Sequence, residues 1–221
     1  MLQTPPPPLA TAPLLTARGL ACRRGSRRLF ENFDLELRAG EIVWVRGRNG
    51  RGKTSLLRLI SGLAVPDGGV MLFDGAARAD ASALARRIVF IGHANALKED
   101  LTVAESLAFL LRIHGRACDA ASVTPALERW DMTALAAAPV RTLSQGQRRR
   151  VALARLAVDR DASLWVLDEP FDALDSDGVI CLNALLADNL RRGGSVLLTG
   201  HPGAWASALP LREFDLDRCA C

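Results

Sequence analysis

The chain has no tyrosine and almost no lysine: of its 28 cationic side chains only Lys53 and Lys98 are lysines, and the others are arginines. Long apolar runs are also missing, because charged residues interrupt the hydrophobic segments; Glu105 lies within the run from Val103 to Leu111. A helix that spans a membrane needs about 20 predominantly apolar residues. The sequence therefore predicts no transmembrane segment.

The amino-terminal segment lacks both a basic start and an apolar stretch, so we expect no signal peptide. Its prolines at 5–8 predict a disordered leader over residues 1–13. The five cysteines are scattered and odd in number, which favours a reducing compartment. Cys219 and Cys221 supply only two thiolates for a metal, so a reduced tail is the simpler interpretation. We expect a cytoplasmic chain.

The length of the chain limits the number of domains, and its net charge limits the kinds of partner. A chain of 221 residues with 49% hydrophobic residues suits one large domain, or a core with an inserted subdomain. The net charge of +4 is most simply explained by solvated surface arginines. The alternative is that some of them face acidic lipid headgroups or an acidic partner.

A glycine-rich loop is the strongest motif. Gly47 to Thr54 matches G-x-x-x-x-G-K-[ST], after a predicted buried strand at 41–45 and before a predicted helix at 55–61. Such a loop turns its backbone N–H groups toward phosphates, aided by the start of the helix. Lys53 is expected to reach the β and γ oxygens and the Thr54 hydroxyl to bind magnesium. An arginine-rich chain that keeps lysine here fits this function, because a compact ammonium fits between phosphate oxygens.

Two acids follow the apolar segment from Leu164 to Leu167, where ligand sites form in α/β sheets. Asp168 is positioned for magnesium, directly or through water. Glu169 is suited to accept a proton from the attacking water. The alternative is an acidic pair at a helix start, which the neighbouring sequence, Trp165 before it and Pro170 after it, disfavours.

The segment from Leu143 to Gln147 begins a predicted helix with a capping box formed by Ser144 and Gln147. Arginines at 148–150 crowd the same first turn, where cations oppose the helix dipole. That conflict is resolved if an anion or an acidic surface lies nearby. Gly146 leaves the backbone open to close approach, so a phosphate-facing function is favoured over a merely well-capped helix.

The remaining pattern predicts an α/β core interrupted by helices. Residues 94–142 are helical in character, with a capping box at Thr102 and Glu105 and a second amphipathic helix marked by Val123, Leu127 and Trp130. After them we predict a helix at 144–158, a strand at 164–168, a helix at 177–192 and a strand at 195–199. His201 follows this last strand.

From about Leu14 to Pro202 the motifs resemble those of the ATP-binding cassette ATPases. The resemblance implies an α/β fold with a P-loop NTPase core, an antiparallel β subdomain and an inserted helical subdomain. It places one domain at 14–221, with the core at 14–93 and 143–210 and the helical insertion at 94–142. It also implies ATP and Mg²⁺ as cofactors, Thr54 and Asp168 as magnesium ligands, and Glu169, Lys53 and the γ-phosphate sensor His201 as catalytic residues.

The family further implies a head-to-tail homodimer that encloses two ATP molecules, with residues 172–175 as a dimer-contact loop. Each nucleotide then lies between the glycine-rich loop of one subunit and the Ser144 segment of the other. The expected nucleotide-binding residues are Gly47, Arg48, Asn49, Gly50, Arg51, Gly52, Lys53, Thr54, Ser55, Arg24, His93, Ser144, Gln145, Gly146, Gln147 and Asp175.

Several stretches are similar to the ATP-binding subunit of the cytochrome c biogenesis system, among them Gly92-His93, Leu97 to Leu107 and Leu164 to Asp175. This similarity implies a peripheral protein on the cytoplasmic face of the bacterial inner membrane. It implies integral membrane partners in a haem export or delivery pathway, with any haem contact through those partners, and no nucleic acid. We expect a partner helix to insert near His93, Leu97 and Leu101.

Two positions depart from the usual cassette. Counting back nine residues from Thr102 gives His93 where a magnesium-sensing glutamine is usual, and an imidazole there would make coupling pH-sensitive. The aromatic residue that stacks on adenine is missing, and Arg24 near that position offers a guanidinium plane instead. Two other functions remain open: a cassette that binds ATP as a clamp with little hydrolysis, and a soluble, non-transport cassette that acts on ribosomes or DNA. An export substrate other than haem is a further alternative.

Overall fold

The computed structural model describes residues 13–77, 86–159, 163–200, 209 and 211–219. Its strands form two sheets, one antiparallel with four strands and one parallel with five. Among the described helices none is long and apolar enough to cross a membrane. The arrangement is the α/β architecture that the sequence predicts.

The antiparallel sheet has the order β2-β1-β4-β5. Its strands are β1 (Leu15–Arg24), β2 (Arg27–Leu37), β4 (Gly68–Phe73) and β5 (Ala76–Ala77). A two-residue turn joins β1 to β2, and Gly25 has a φ of +62° there, a conformation that tight hairpin turns require. Phe30 and Phe33 of β2 are fully buried in an apolar core that this sheet shares with residues of the parallel sheet, among them Val43 and Leu197.

The parallel sheet has the order β6-β7-β8-β3-β9. Its strands are β3 (Ile42–Arg46), β6 (Ile88–Ile91), β7 (Leu164–Leu167), β8 (Ser195–Thr199) and β9 (Leu211–Asp215). All residues of β7 and β8 are buried, as expected for central strands covered on both faces. Along β7 successive side chains enter opposite cores: Leu164 and Val166 join one apolar cluster, Trp165 and Leu167 the other.

The helices are α1 (Lys53–Ile60), α2 (Val103–Ile113), α3 (Ala120–Arg129), α4 (Gln145–Leu153), α5 (Arg155–Val158) and α6 (Ser176–Arg191). Short 3-10 turns lie at Thr133–Leu135, Val140–Thr142 and Leu216–Cys219. The capping box at Thr102 and Glu105 is present at the start of α2, as predicted. The predicted helix at 144–158 is wrong as one element, because α4 ends at Leu153 and α5 begins at Arg155.

Most predicted elements agree with the structure within two residues, but β9 was missed. Its five residues are half-buried or exposed at the edge of the sheet, so they lack the apolar run that identifies a central strand. The sheet therefore continues past residue 210, where the predicted core ends. The leader at 1–13 lies almost wholly outside the described residues, and the division into core and helical insertion remains a prediction.

Parallel strands place all their carboxyl ends on one edge of the sheet, where ligand sites form in such folds. The glycine-rich loop follows β3, Gly92 and His93 follow β6, Asp168 follows β7 and Gly200 follows β8. The topology thus gathers residues from distant parts of the sequence at a single edge.

Candidate nucleotide site

The loop from Gly47 to Gly52 joins β3 to α1 with a backbone that its glycines permit. Gly47, Gly50 and Gly52 have φ values of +147°, +76° and +106°, in the region that side chains rarely adopt. At Gly52 an added Cβ atom would also lie 3.1 Å from the Cβ of Leu29 and 3.2 Å from the ring of Phe30. Helix α1 then begins at Lys53, as the phosphate-loop motif requires.

Lys53 lies across this loop. Its Nζ atom donates to the carbonyl oxygen of Gly47 at 2.6 Å and to that of Arg48 at 3.4 Å. Beside it is a cavity of about 320 Å³ lined by Arg24, Leu29, Asn49, Gly50, Gly52, Lys53, Thr54, Ser55 and Glu169. The cavity therefore joins the loop residues to Arg24 and to the acid predicted as a base.

A buried network connects the loop to the acids after β7. Asp168, only 2% exposed, accepts hydrogen bonds from the Thr54 hydroxyl at 2.8 Å and from the Thr199 hydroxyl at 2.7 Å. The backbone N–H of Glu169 donates to the Thr199 hydroxyl oxygen at 2.9 Å. The structure thus brings the predicted magnesium ligands together and adds Thr199, which sequence reasoning missed because it belongs to no recognised motif.

Glu169 has a φ of +49°, an uncommon conformation for a residue with a side chain. Such strain persists only where neighbours determine the backbone on both sides. Here the N–H donates to Thr199, and the carbonyl oxygen accepts from Arg149 at 2.8 Å. The Glu169 carboxylate lies 3.2 Å from His93 Nδ1, so His93 contacts the predicted base directly.

The side chain of Arg149 contacts the backbone at the carboxyl end of β7. The side chain is buried, with 3% of the residue exposed. Its guanidinium donates to five acceptors: the carbonyl oxygens of Gly92, Asp168, Glu169 and Pro170 at 2.8–3.3 Å and the Asn95 side chain at 3.2 Å. Burial lowers the pKa of Arg149, and the negative charges of Asp172, Asp168 and Glu169 oppose that shift. Arg149 is therefore a positioning residue for the acidic segment.

The arginines at 148–150 find their partners within the chain. Arg148 pairs with Glu99 at 3.2 Å, and Arg150 pairs with Asp175 at 2.5 Å. The acidic groups predicted near these arginines therefore belong to the same chain. The hydrogen bond from Arg150 holds the pKa of Asp175 below its usual value, and the Gly178 N–H contributes to the same shift. Asp175 also caps α6 by accepting that N–H at 2.9 Å.

The Ser144 segment forms its predicted capping box. Ser144 Oγ accepts from the Gln147 N–H at 3.2 Å, and the Gln147 side chain accepts from the Ser144 N–H at 2.9 Å, around Gln145 at the start of α4. A Cβ atom at Gly146 would lie 2.8 Å from the carbonyl oxygen of Ala173. Close packing within the chain therefore requires this glycine, in addition to the open approach inferred from the sequence.

Ser144, Gly146, Gln147, Arg150, Ala173 and Asp175 are among the residues that line a second cavity, of about 460 Å³. This cavity and the one beside the phosphate loop share no lining residue within the described part of the chain. The two predicted halves of a nucleotide site are therefore separate in one copy of the chain. His201 lies outside the described residues.

Comparison with known proteins identifies the family of the chain. A family profile described as ABC transporter matches residues 30–172. The cytochrome c biogenesis ATP-binding export protein CcmA of Albidiferax ferrireducens is 43% identical over 209 residues, 94% of this chain and 99% of the relative. The CcmA protein of Pseudomonas syringae pv. tomato is 46% identical over 206 residues, which cover 93% of this chain and 96% of the relative. The chain belongs to the CcmA branch of the ABC transporter family.

Solved structures of ABC proteins share the fold. A putative ABC transporter ATP-binding protein from Pyrococcus furiosus has a TM-score of 0.78 at 24% identity, covering 94% of this chain and 99% of that one. An ATP-binding cassette solved as a dimer in a post-hydrolysis state with ADP and Pi has a TM-score of 0.73 at 24% identity, covering 85% and 88%. At this identity the likeness concerns the fold of the ABC ATPase domain.

The phosphate loop of this ABC protein has one further contact that sequence reasoning missed. Asp217, in the 3-10 turn after β9, accepts a hydrogen bond from the Arg48 N–H at 2.9 Å. Its other carboxylate oxygen lies 3.2 Å from Arg51 Nε and 3.6 Å from Arg48 Nε. Asp217 lies beyond the predicted core and belongs to no motif. It reaches the loop only because the edge strand β9 pairs with β3.

We expect Asp217→Ala to raise the KM for ATP about tenfold, because a hydrogen bond to a charged group contributes about 1.5–3 kcal/mol and here it fixes the loop. Steady-state ATP hydrolysis measures the effect, and kcat should change less than KM. Glu213→Ala is the matched control on β9, since it removes only an exposed ion pair with Arg46. An unchanged KM in Asp217→Ala would show that the contact does not shape the loop.

Proposed function

We propose that this chain is the ATP-hydrolysing, energy-coupling subunit of a bacterial inner-membrane ABC complex for cytochrome c biogenesis, in a pathway of haem export or delivery. The observation that carries ATP hydrolysis is the hydrogen-bonded pair Thr54 and Asp168 beside the phosphate-loop cavity that Glu169 also lines. The similarity to the CcmA proteins supports the pathway. A loop for phosphates, two oxygen donors and an adjacent carboxylate form the chemical set that phosphoryl transfer to water needs.

The donor set fits Mg²⁺, which prefers oxygen ligands from one or two carboxylates and substrate phosphates. The Thr54 hydroxyl and the Asp168 carboxylate would hold the ion, which when bound neutralises charge on the phosphates. Lys53 would shift from the Gly47 and Arg48 carbonyl oxygens to the phosphate oxygens. Glu169 would orient the attacking water and take its proton, held in place by Thr199 and Arg149.

The complete site is proposed to need a second copy of the chain. In one copy the Ser144 cavity and the phosphate-loop cavity share no described residue, so the segment from Ser144 to Gln147 has no nucleotide of its own to face. A head-to-tail homodimer places that segment, with Gln145 and Gly146 at the helix start, against the nucleotide of the partner. Two-fold symmetry then yields two equivalent sites.

A groove beside the site supports a membrane partner. This cavity of about 440 Å³ is lined by His93, Phe109, Ile113 and neighbouring residues of β6 and α2. Phe109 and Ile113 are 37% and 57% exposed, which is unusual for large apolar side chains that lie close together. We propose that an integral membrane subunit binds here, that the chain is peripheral on the cytoplasmic face, and that haem is contacted only through such partners, with no nucleic acid involved.

Affinity purification from detergent-solubilised membranes tests the assignment. We expect integral membrane proteins of cytochrome c biogenesis to co-purify with the wild-type chain and to be lost with Ile113→Glu. Val65→Glu is the matched control, because Val65 is 81% exposed in the turn between α1 and β4. Recovery of the chain with ribosomes or DNA, and equally from membranes and soluble extract, would contradict the proposal.

A further inference from the structure

We propose that His93, Glu169 and Asp172 form a binding site for a transition-metal cation of the Zn²⁺ class, and that the bound ion inhibits ATP hydrolysis. The site lies between the segments that follow β6 and β7. Its inhibitory effect rests on the proposed function of Glu169 as the base, whereas binding of the metal does not.

The three side chains already converge. His93 Nδ1 is 3.2 Å from a carboxylate oxygen of Glu169, and the donor atoms of all three residues lie within 4.8 Å of one another. A tetrahedral zinc ion with bonds of about 2.1 Å separates its ligands by about 3.4 Å, so the widest pair must close by at most about 1.4 Å. His93 and Asp172 are exposed, so their side chains have room to rotate toward a common ion.

The surrounding charge favours a cation. Asp168, Glu169 and Asp172 all act electrostatically on the buried guanidinium of Arg149. That guanidinium directs its hydrogen bonds to backbone carbonyl oxygens and Asn95, and so leaves the carboxylates of Glu169 and Asp172 available. Among the described residues the Asp172 carboxylate has no hydrogen-bond or ion-pair partner. Three acids against one buried arginine leave an excess of carboxylates in the segment after β7, which attracts a divalent ion, although Arg24 and Lys53 line the neighbouring cavity with Glu169.

The site differs from the proposed magnesium site in both ligands and chemistry. It uses neither Thr54 nor Asp168, which are hydrogen-bonded to each other. Imidazole suits zinc, copper and nickel, whereas magnesium prefers oxygen ligands alone. A cation held by the Glu169 carboxylate occupies the lone pairs that would accept the proton of water, so hydrolysis stops while the phosphate loop remains free to bind nucleotide.

Direct binding is the first test, made with the full chain carrying Cys219→Ser and Cys221→Ser so that the terminal thiols do not compete. Zinc is titrated into nucleotide-free protein in competition with a chromogenic chelator, which measures the affinity. The absorption spectrum of bound cobalt shows whether any thiolate is a ligand. We expect one equivalent of zinc, with affinity lowered at least about tenfold in His93→Gln and in Asp172→Asn. His114→Gln and Asp100→Asn are matched controls outside the cluster. Unchanged zinc affinity in His93→Gln would overturn the site.

Inhibition is the second test. In excess MgATP and buffered free zinc, the wild-type chain should lose ATP hydrolysis reversibly, with activity restored by a chelator. Asp172→Asn should need at least about tenfold more zinc for the same inhibition, while Asp100→Asn should match the wild type. Zinc binding that depends on His93 without inhibition would overturn the inhibitory claim. Zinc binding by a chain that hydrolyses no ATP even without zinc would instead reject the proposed function and leave the binding site standing.

Discussion

Glu169→Gln should reduce the rate of ATP hydrolysis about 10²–10⁴-fold, the usual contribution of a positioned general base. The amide keeps the size of the side chain but cannot accept the proton. Because Glu169 is held through its backbone contacts with Thr199 and Arg149, the substitution should leave the local fold intact. Nucleotide binding should therefore survive, and ATP should accumulate in an uncleaved complex detectable by filter binding.

The matched control is Glu128→Gln, because Glu128 is exposed on α3 away from the site. It should hydrolyse ATP at the wild-type rate. If Glu169→Gln also retained that rate, Glu169 would not be the base. If wild type and Glu169→Gln both bound ATP but were equally slow, the chain would be an ATP-binding clamp, the alternative that the sequence left open.

Arg149→Met should lower both stability and activity. The substitution keeps an apolar stem of similar length but leaves the carbonyl oxygens of Gly92, Asp168 and Glu169 without their donor. Asp168 is buried and Gly92 and Glu169 are half-buried; a buried acceptor left unsatisfied costs about 1–3 kcal/mol, so a total loss of about 3 kcal/mol is expected. For a chain of this length that corresponds to a fall in Tm of about 10 °C, which thermal denaturation measures.

Arg191→Met is the control, because Arg191 is an exposed arginine whose ion pair with Asp188 contributes little. At temperatures where Arg149→Met remains folded, its kcat should still be reduced, since the Glu169 carbonyl is no longer fixed. A variant with the Tm and kcat of the wild type would show that the buried guanidinium does not position the acidic segment.

The local motifs allowed much of the fold and site to be predicted. The phosphate-loop motif fixes glycine at Gly47 and Gly52, so the sequence predicted a loop backbone that turns inward, and both glycines have positive φ values. The capping boxes at Thr102 and Ser144 depend on residues only three positions apart and were present as predicted. Strand β7 with its terminal acid follows from a short apolar run.

The missed features are all long-range. In the sequence Arg149 is one of three adjacent arginines and nothing distinguishes it from the other two. Only the fold brings the residues that follow β6 and β7 into contact with its side chain. Thr199 and Asp217 belong to no motif, and each reaches the site only because parallel strands end at a common edge. The spacing to Thr102 predicted His93 in the place of a magnesium-sensing glutamine but gave no sign of its contact with Glu169. Sequence spacing does not specify such contacts between separate strands.

The central claim is that ATP is cleaved only at a site shared by two copies of the chain. Two inactive variants test it when mixed: Lys53→Ala, which removes the phosphate-loop cation, and Ser144→Asp. Aspartate is as good a helix cap as serine, so Ser144→Asp keeps α4 capped while placing a negative charge toward the phosphate of the partner. Ser144→Thr is the control that keeps both the cap and the hydroxyl.

A mixed dimer of these variants contains one intact site, formed by the loop of the Ser144→Asp subunit and the Ser144 segment of the Lys53→Ala subunit. Random pairing makes half of the dimers mixed, so the mixture should regain about a quarter of wild-type ATP hydrolysis although each variant alone is inactive. Full activity of Ser144→Asp by itself, or a mixture as inactive as its two components, would contradict a site completed by the second copy.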